Sequence, residues 1–178
     1  LSGGQLDLSG YTQAWRRTDA LLRDPSAWYH LVCAVDTTKS DADADDRIKL
    51  YINGAQVANT DFDVKNNPSQ NTELAFNQAT PHTIGARSRS GTIAHYHDGY
   101  LAEVYFIDGQ QLAATDFGEY DSNNVWQPKD ASGLTFGTNG FRLNFSDNSA
   151  DQALGYDATA TTPTLNPRGG FDAVTWTG

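Results

Sequence analysis

The sequence predicts an all-β protein built as an antiparallel two-sheet structure. The chain has 178 residues, which is enough for one domain with a sizeable core. Its 16 glycines and abundant Asn, Asp, Ser and Thr favour many short strands joined by turns. Several short runs alternate in hydrophobicity with period two, and no amphipathic helix of about ten or more residues is present. Strands with hairpin signals and no βαβ alternation fit a two-sheet sandwich or jelly roll.

The first third of the chain carries the clearest strand patterns. Residues 5–23 alternate well enough for two short strands around a Ser-Gly turn. The run 28–36, "WYHLVCAVD", is nearly continuous in apolar residues, which predicts a central strand buried on both faces. The run 47–54, "RIKLYING", alternates cleanly. Its last two residues, Asn53 and Gly54, supply the positive φ values of a two-residue hairpin that returns through "AQVAN".

Strand patterns in the rest of the chain are shorter. Residues 59–80 show no sustained period and are predicted to form a long loop. We expect strands over 82–87 and 99–109, then one helical turn within 111–120. Residues 136–145 predict a last strand with alternate apolar side chains on one face.

The domain organisation is predicted from where this periodicity stops. We expect a β-sandwich over residues 1–148 and an irregular C-terminal extension over 149–178, where Asp, Thr, Pro and Gly accumulate. The chain has no Met and opens with "LSGGQ", so we expect residue 1 not to be a translational start.

Charge and cysteine content exclude several classes of function. The formal charge of −10 and the pI near 4.5 would repel phosphate backbones, so we expect no nucleic-acid partner. No stretch approaches the roughly 20 apolar residues of a transmembrane helix, so we expect no membrane insertion. Cys33 has no second cysteine with which to form an internal disulfide, and its apolar run predicts a small buried side chain.

Four motifs in a fixed order carry a family resemblance. They are "AWYHLVCAVDTT", "RIKLYINGAQV", "HTIGAR" and "DGYLAEVYFIDGQQL". In this order they resemble the laminin G-like, pentraxin-like branch of the concanavalin A-like jelly rolls. The continuation "ATDFGEYDSNNVWQPK…GTNGFRLNFSDNS" resembles such domains in phage structural and tail-fibre-like proteins. The resemblance covers about residues 20–150 and implies a lectin-like fold.

The chain departs from this family at two places. The family's early strand, with an aromatic-x-Trp-Val-Lys pattern, is missing. We therefore expect either a trimmed domain or a first sheet whose missing positions are filled by a strand of another chain. Ala102 replaces the Asp of the common Ile-Asp-Glu-Val pattern, which weakens a metal role for that strand.

The acidic spacer "DADADD", residues 41–46, superficially matches the start of an EF-hand loop. It lacks the Gly at the sixth position and the Glu at the twelfth, where Asp46 and Ile52 stand. No helices flank it, so we interpret it as a solvated hairpin end.

Two further groups of residues are candidate metal ligands. The resemblance implies calcium on rim loops and leaves it open as a cofactor here, with Asp98, Asp108 and loop 59–72 as the candidates. His95 and His97 would share one strand face beside Asp98, which is a weak zinc signal without a firm third ligand.

Catalysis is not expected. Glucanases of this fold carry ExDxxE on one strand, whereas the nearest string here, "EYDSNN" from Glu119, ends in Asn124. Glu103 falls on the predicted strand face of Tyr105, where we interpret it as the partner of a nearby backbone or basic group.

Aromatic and amide side chains on loops are the expected ligand contacts. Tyr96, Tyr100, Trp15 and Tyr11 have flat faces that suit a pyranose ring. From loop 59–72 we add Asn67 and Asn71 as ligand-binding candidates.

These observations predict a non-catalytic lectin-like module that binds cell-surface carbohydrate on a virion surface or outside a cell. We also expect homo-oligomers or other structural subunits as partners. The alternatives are a purely structural subunit of a virion or filament and, second, a glycoside hydrolase.

Overall fold

A computed structural model describes the fold of the chain. The residues that it describes are 3–9, 14–75, 78, 82–89, 92–147, 149 and 155–159. They form mostly strands with little helix, and every strand pairing among them is antiparallel. The all-β prediction is therefore confirmed. Nowhere in these ranges is there a helix with the length and apolar character needed to cross a bilayer.

The described strands, numbered in chain order, are β1 (Gln5–Ser9), β2 (Ala14–Leu21), β3 (Leu31–Val35), β4 (Ile48–Ile52), β5 (Ala55–Gln56), β6 (Phe62–Lys65), β7 (Arg87–Arg89), β8 (Thr92–Ala94), β9 (Val104–Phe106), β10 (Gly118–Tyr120), β11 (Trp126–Pro128) and β12 (Phe141–Leu143). Two 3-10 segments accompany them, Asp41–Arg47, which is kinked at Asp43, and Ala114–Asp116.

Residues that contact one another within the chain group into two compact units. Residues 1–75 and 110–133 form the first unit, and residues 76–109 and 134–178 form the second. The predicted extension, 149–178, lies largely outside the described residues, so its boundary stays a prediction. Of that stretch, residues 157 and 158 contact β12, because the Ala158 N–H donates to the Arg142 carbonyl at 2.7 Å.

The first sheet of unit one has the order β1-β2-β6. Arg16 and Thr18 of β2 are fully buried, with 0% exposure. The prediction of a long loop over 59–80 is wrong for residues 62–65, because these form β6 and pair with β2. The alternating segment "FDVK" is only four residues long, which is too short to stand out as a period in the sequence.

The second sheet of unit one has the order β3-β4-β5. The predicted hairpin is confirmed, because Asn53 and Gly54 have φ values of 48° and 83°. Leu50 of β4 is 2% exposed. The prediction of a central strand over 28–36 is wrong, since the strand begins at Leu31 and β4 separates it from β5. Leu31 is 43% exposed, as an edge position allows.

Unit one also contains the hairpin of β10 and β11, in register from Gly118 opposite Pro128 to Tyr120 opposite Trp126. The helical turn predicted within 111–120 is confirmed as the 3-10 segment Ala114–Asp116, whose Asp116 carboxylate accepts the Ala113 N–H at 2.8 Å.

Unit two contains two strand pairs, β7 with β8 and β9 with β12. The last predicted strand is confirmed in part, because Phe141 and Leu143 are buried on one face of β12. The strand predicted over 82–87 is wrong, since residues 84–86 form a bend and β7 begins only at residue 87. The strand predicted over 99–109 shrinks to three residues, because Glu103 takes a left-handed φ of 53° that ends the extended backbone.

Candidate functional site

Among the described residues of unit two, the most exposed aromatic side chains lie on residues 95–101, which we call the aromatic segment. It follows β8 directly. Tyr96 is 68% exposed, Tyr100 is 87% exposed and Leu101 is 44% exposed. His95 enters the segment with a φ of 54°, a left-handed conformation in which non-glycine residues are uncommon. The chain thus turns out of β8 and presents two tyrosine rings to solvent.

One backbone hydrogen bond ties the aromatic segment to the chain before β7. The His97 N–H donates to the Gly85 carbonyl at 2.6 Å. The His97 imidazole packs so closely on Gly99 that a Cβ there would lie 2.8 Å from Nε2. His97 is therefore used as an anchor, and the tyrosines one residue before and three residues after it remain open to solvent.

The two predicted metal-ligand aspartates have different surroundings. Asp98 is exposed within the aromatic segment. Asp108 follows β9, where its N–H donates to the Phe136 carbonyl at 2.8 Å and its Oδ2 accepts the Asn139 N–H at 3.2 Å. In the part of the chain that the structure describes, His, Cys, Asp and Glu side chains do not form a group of three that could hold a metal ion. Asp108 thus shapes the 136–139 loop.

The other described ligand candidates lie in unit one, where internal hydrogen bonds occupy the Asn67 side chain and hold the backbone of Trp15 and Asn71. The Asn67 amide accepts from Arg16 Nη2 at 2.6 Å and donates to Asp45 at 2.8 Å. The half-buried Trp15 accepts the Asn66 N–H at its carbonyl, 2.8 Å away. Asn71 takes a left-handed φ of 58°, and its N–H donates to Thr37. Trp15, Asn67 and Asn71 lie in unit one and the two tyrosines lie in unit two, whereas Tyr11 lies outside the described residues.

Arg16 is the centre of this internal network. Its guanidinium also donates to the Asn66 carbonyl at 2.6 Å and lies 5.6 Å over the Phe62 ring. Burial lowers the pKa of Arg16, and the nearby Asp45 carboxylate opposes that shift. Asp45 in turn accepts Lys65 Nζ at 2.8 Å, and its hydrogen bonds with Lys65 and Asn67 lower its own pKa. The network fixes the end of β6 against the acidic spacer.

The acidic spacer is a set of separate pairings. Asp41 accepts Arg47 Nη2 at 2.6 Å, and Arg47 is 2% exposed. Asp43 accepts the Ser40 hydroxyl at 2.7 Å, and Asp46 lies 3.3 Å from Lys49 Nζ. With Asp45 bonded to Lys65, the carboxylates of the spacer are directed to different donors. The spacer is thus a 3-10 segment whose carboxylates each have a partner of their own.

Glu103 has the basic partner that the sequence predicted. Arg142 donates to both of its carboxylate oxygens, at 3.0 and 3.2 Å, and the Tyr105 hydroxyl donates to Oε2 at 2.8 Å. Desolvation, aided by the Glu103 carboxylate, raises the pKa of Tyr105 to about 12. These hydrogen bonds join β12 to the residue before β9, and they occupy both oxygens of the Glu103 carboxylate.

The string compared with the glucanase motif has a structural role at its second acid. Asp121 Oδ1 accepts the backbone N–H groups of Asn123 and Val125, at 2.8 and 2.9 Å. This is the turn of the β10–β11 hairpin. Glu119 lies exposed on β10.

Sequence reasoning missed a second aromatic cluster, around Trp126 in unit one. The Tyr120 ring meets the indole edge-on at 4.9 Å, and the His30 ring lies 5.6 Å away. Gly54 and Gly118 lie directly against the indole, so that a Cβ on either would come within 2.5 Å of it. Tyr120 also donates to the Asn53 carbonyl at 3.1 Å. The only sequence signal was Gly54 of the Asn53-Gly54 turn. Besides taking the positive φ of that turn, Gly54 leaves room for the indole.

Cys33 was predicted to be buried, and this is wrong because it lies exposed on the edge strand β3. Protein atoms nevertheless crowd its thiol. Desolvation raises the pKa to about 12, and the nearby charge of Arg16 only partly offsets this. The thiolate is therefore scarce near neutral pH.

Comparison with family models, with curated proteins and with solved structures returns no match. The laminin G-like resemblance thus depends on the four ordered motifs alone.

Proposed function

We propose that this protein is a non-catalytic, lectin-like binding module whose aromatic segment stacks on the sugar rings of a cell-surface glycan. The proposed architecture is a two-sheet jelly roll of the laminin G-like kind, in a phage fibre or another surface-exposed assembly. The observation that carries the proposal is the exposure of Tyr96 and Tyr100, 68% and 87%, on a segment anchored by His97.

Exposure of this degree favours a binding role because it contributes little to folding. A tyrosine that stabilises a core loses most of its accessible surface, whereas Tyr100 keeps 87%. A pyranose ring offers an apolar face that matches the flat phenol ring, and the hydroxyl tip can bond to sugar oxygens.

The expected affinity is modest. Covering roughly 40 Å² of each ring at about 25 cal/mol per Å² contributes about 1 kcal/mol per tyrosine. Removing both rings should therefore weaken binding by about 30-fold. The formal charge of −10 favours neutral glycans over sulfated or sialylated ones.

A glycan array tests the proposal, read with the full chain, with and without a calcium chelator. Tyr96→Ala and Tyr100→Ala should each weaken binding about fivefold. Tyr156→Ala is the matched control, because Tyr156 is exposed at 37% but lies outside the aromatic segment. Array signals that survive both substitutions together would reject the site. Loss of signal in the chelator arm would show that calcium takes part.

Folding must be checked in the same variants. Tyr100→Ala should change the free energy of unfolding by less than about 0.5 kcal/mol, since surface substitutions rarely do more. A larger loss would mean that Tyr100 serves the fold.

A structural subunit that assembles with copies of itself is the second candidate function. It is favoured by large apolar side chains that unit one leaves exposed, Trp28 at 66%, Val125 at 51% and Leu31 at 43%. Light scattering coupled to size-exclusion chromatography separates the two functions. A concentration-dependent oligomer that Trp28→Asp dissociates would support assembly, and a monomer at all concentrations would reject it.

A further inference from the structure

The Trp126 cluster contains two buried polar atoms that lack partners. Trp126 Nε1 and His30 Nδ1 each expose less than 1 Å². Neither has a hydrogen-bond partner among the residues that the structure describes. An unsatisfied buried polar group costs roughly 1–3 kcal/mol, so two in one cluster call for a common explanation.

The two rings are direct neighbours in this cluster. Their centroids are 5.6 Å apart and their planes are tilted by 34°. The indole N–H is a donor only, whereas a neutral imidazole has one acceptor nitrogen. A hydroxyl oxygen both accepts and donates, so a single O–H group can satisfy both atoms.

The surrounding chain holds the backbone of His30 and packs closely on the indole of Trp126. The His30 N–H donates to Asn53 Oδ1 at 2.8 Å, and the Asn53 N–H donates back to the His30 carbonyl at 2.8 Å. On the other side, Gly54 and Gly118 lie against the indole. The indole is therefore closely packed on both glycines, and the His30 backbone is tied to the Asn53-Gly54 turn.

We propose that His30 and Trp126 form a binding site for one neutral hydroxyl group, which accepts the Trp126 indole N–H and donates to His30 Nδ1. Either an ordered water or a hydroxyl of a bound saccharide supplies this chemistry. The site lies in unit one, whereas the aromatic segment proposed to bind glycan lies in unit two.

Burial supports the neutral imidazole that the site requires. Desolvation lowers the pKa of His30, and no opposing charge acts on it strongly enough to reverse this direction. In the proposed site the proton of the neutral ring resides on Nε2, so that Nδ1 is the acceptor.

NMR on the full 15N-labelled chain tests the site. Trp126→Phe assigns the Trp126 indole proton by its disappearance. Trp28→Phe is the matched control, because Trp28 is 66% exposed and its indole proton reports free exchange with solvent. If Trp126→Phe fails to fold, Phe substitutions at the other tryptophans assign the signal by elimination.

Three results are expected. The Trp126 indole proton should exchange at least about tenfold more slowly than that of Trp28. The His30 nitrogen shifts should show Nδ1 unprotonated and accepting. The indole proton should show cross-relaxation to an O–H proton.

The partner of that cross-relaxation identifies the source. A signal at the water frequency, unchanged by saccharide, identifies ordered water. Replacement of this signal on adding the saccharides bound in the array identifies a sugar hydroxyl.

Three other results would overturn the site. One is a proton on His30 Nδ1. Another is a through-bond coupling between Trp126 Nε1 and His30 Nδ1, since the rings would then bond directly without an oxygen. The third is Trp126 exchange as fast as that of Trp28.

Discussion

Replacing Gly54 by Ala should destabilise the first unit through one identifiable clash. A Cβ at Gly54 would lie 2.2 Å from Cε3 of Trp126 and 2.3 Å from Cζ3. Real Cβ contacts of this length do not occur, so the indole must move. Gly54 also has a φ of 83°, which an alanine adopts only at a cost.

The magnitude is a sum of two terms. The left-handed backbone costs an alanine about 1–2 kcal/mol. Displacing the indole adds about 1–3 kcal/mol, the usual range for overpacking. The expected loss is therefore about 2–5 kcal/mol, a large share of the 5–15 kcal/mol typical of a domain.

A matched glycine separates the terms. Gly109 has a φ of 80°, and no described atom lies within 4 Å of the position its Cβ would take. Gly109→Ala should therefore cost only the backbone term. Urea unfolding followed by far-UV circular dichroism measures both variants, and Gly54→Ala should be the worse by about 1–3 kcal/mol.

A double variant completes the test. In a Trp126→Ala background, Gly54→Ala should lose its excess cost, because the two positions interact directly. Equal losses for Gly54→Ala and Gly109→Ala, or an excess that persists without the indole, would refute the packing described here.

Three more predictions concern buried or crowded polar groups. Burial lowers the pKa of His30 below 6.5. The unfolded chain therefore takes up this proton first, so stability should fall as pH drops from about 7 toward 5, and His30→Phe should flatten this slope. Cys33 in the folded chain should react with iodoacetamide at about pH 8 at least tenfold more slowly than in urea, because its raised pKa leaves little thiolate; equal rates would contradict this. Arg47→Ala should lower the free energy of unfolding by about 2–3 kcal/mol, since it removes hydrogen bonds to two backbone carbonyls, whereas Lys49→Ala should cost under about 1 kcal/mol as one half of an exposed pair.

Local chemistry explains which parts of the fold the sequence predicts. The Asn53-Gly54 turn is found because two adjacent residues determine its φ values. The alternation in β4 is found because five residues repeat one period. β6 is missed because only four residues alternate, and its pairing with β2 joins residues about fifty positions apart.

The candidate sites divide in the same way. Tyr96 and Tyr100 could be predicted as exposed, since polar and turn-forming residues surround them. The Trp126 cluster could not, because Gly54, Gly118 and Trp126 meet only when distant hairpins pack. Asn67 was predicted to bind ligand because the sequence around a loop amide does not reveal a distant partner. In the structure, the buried Arg16 donates a hydrogen bond to the Asn67 side chain.

The two aromatic clusters differ in how the chain treats their rings. Around Trp126, the indole occupies the space that a Cβ on either of two glycines would need, and a tyrosine ring contacts the indole edge-on. Each of these contacts stabilises the fold, and the substitutions described above should measure them as stability. The aromatic segment instead is tied by the His97 N–H to the Gly85 carbonyl and leaves Tyr100 at 87% exposure. Stability and binding should therefore separate, with folding sensitive to the first cluster and ligand capture sensitive to the second.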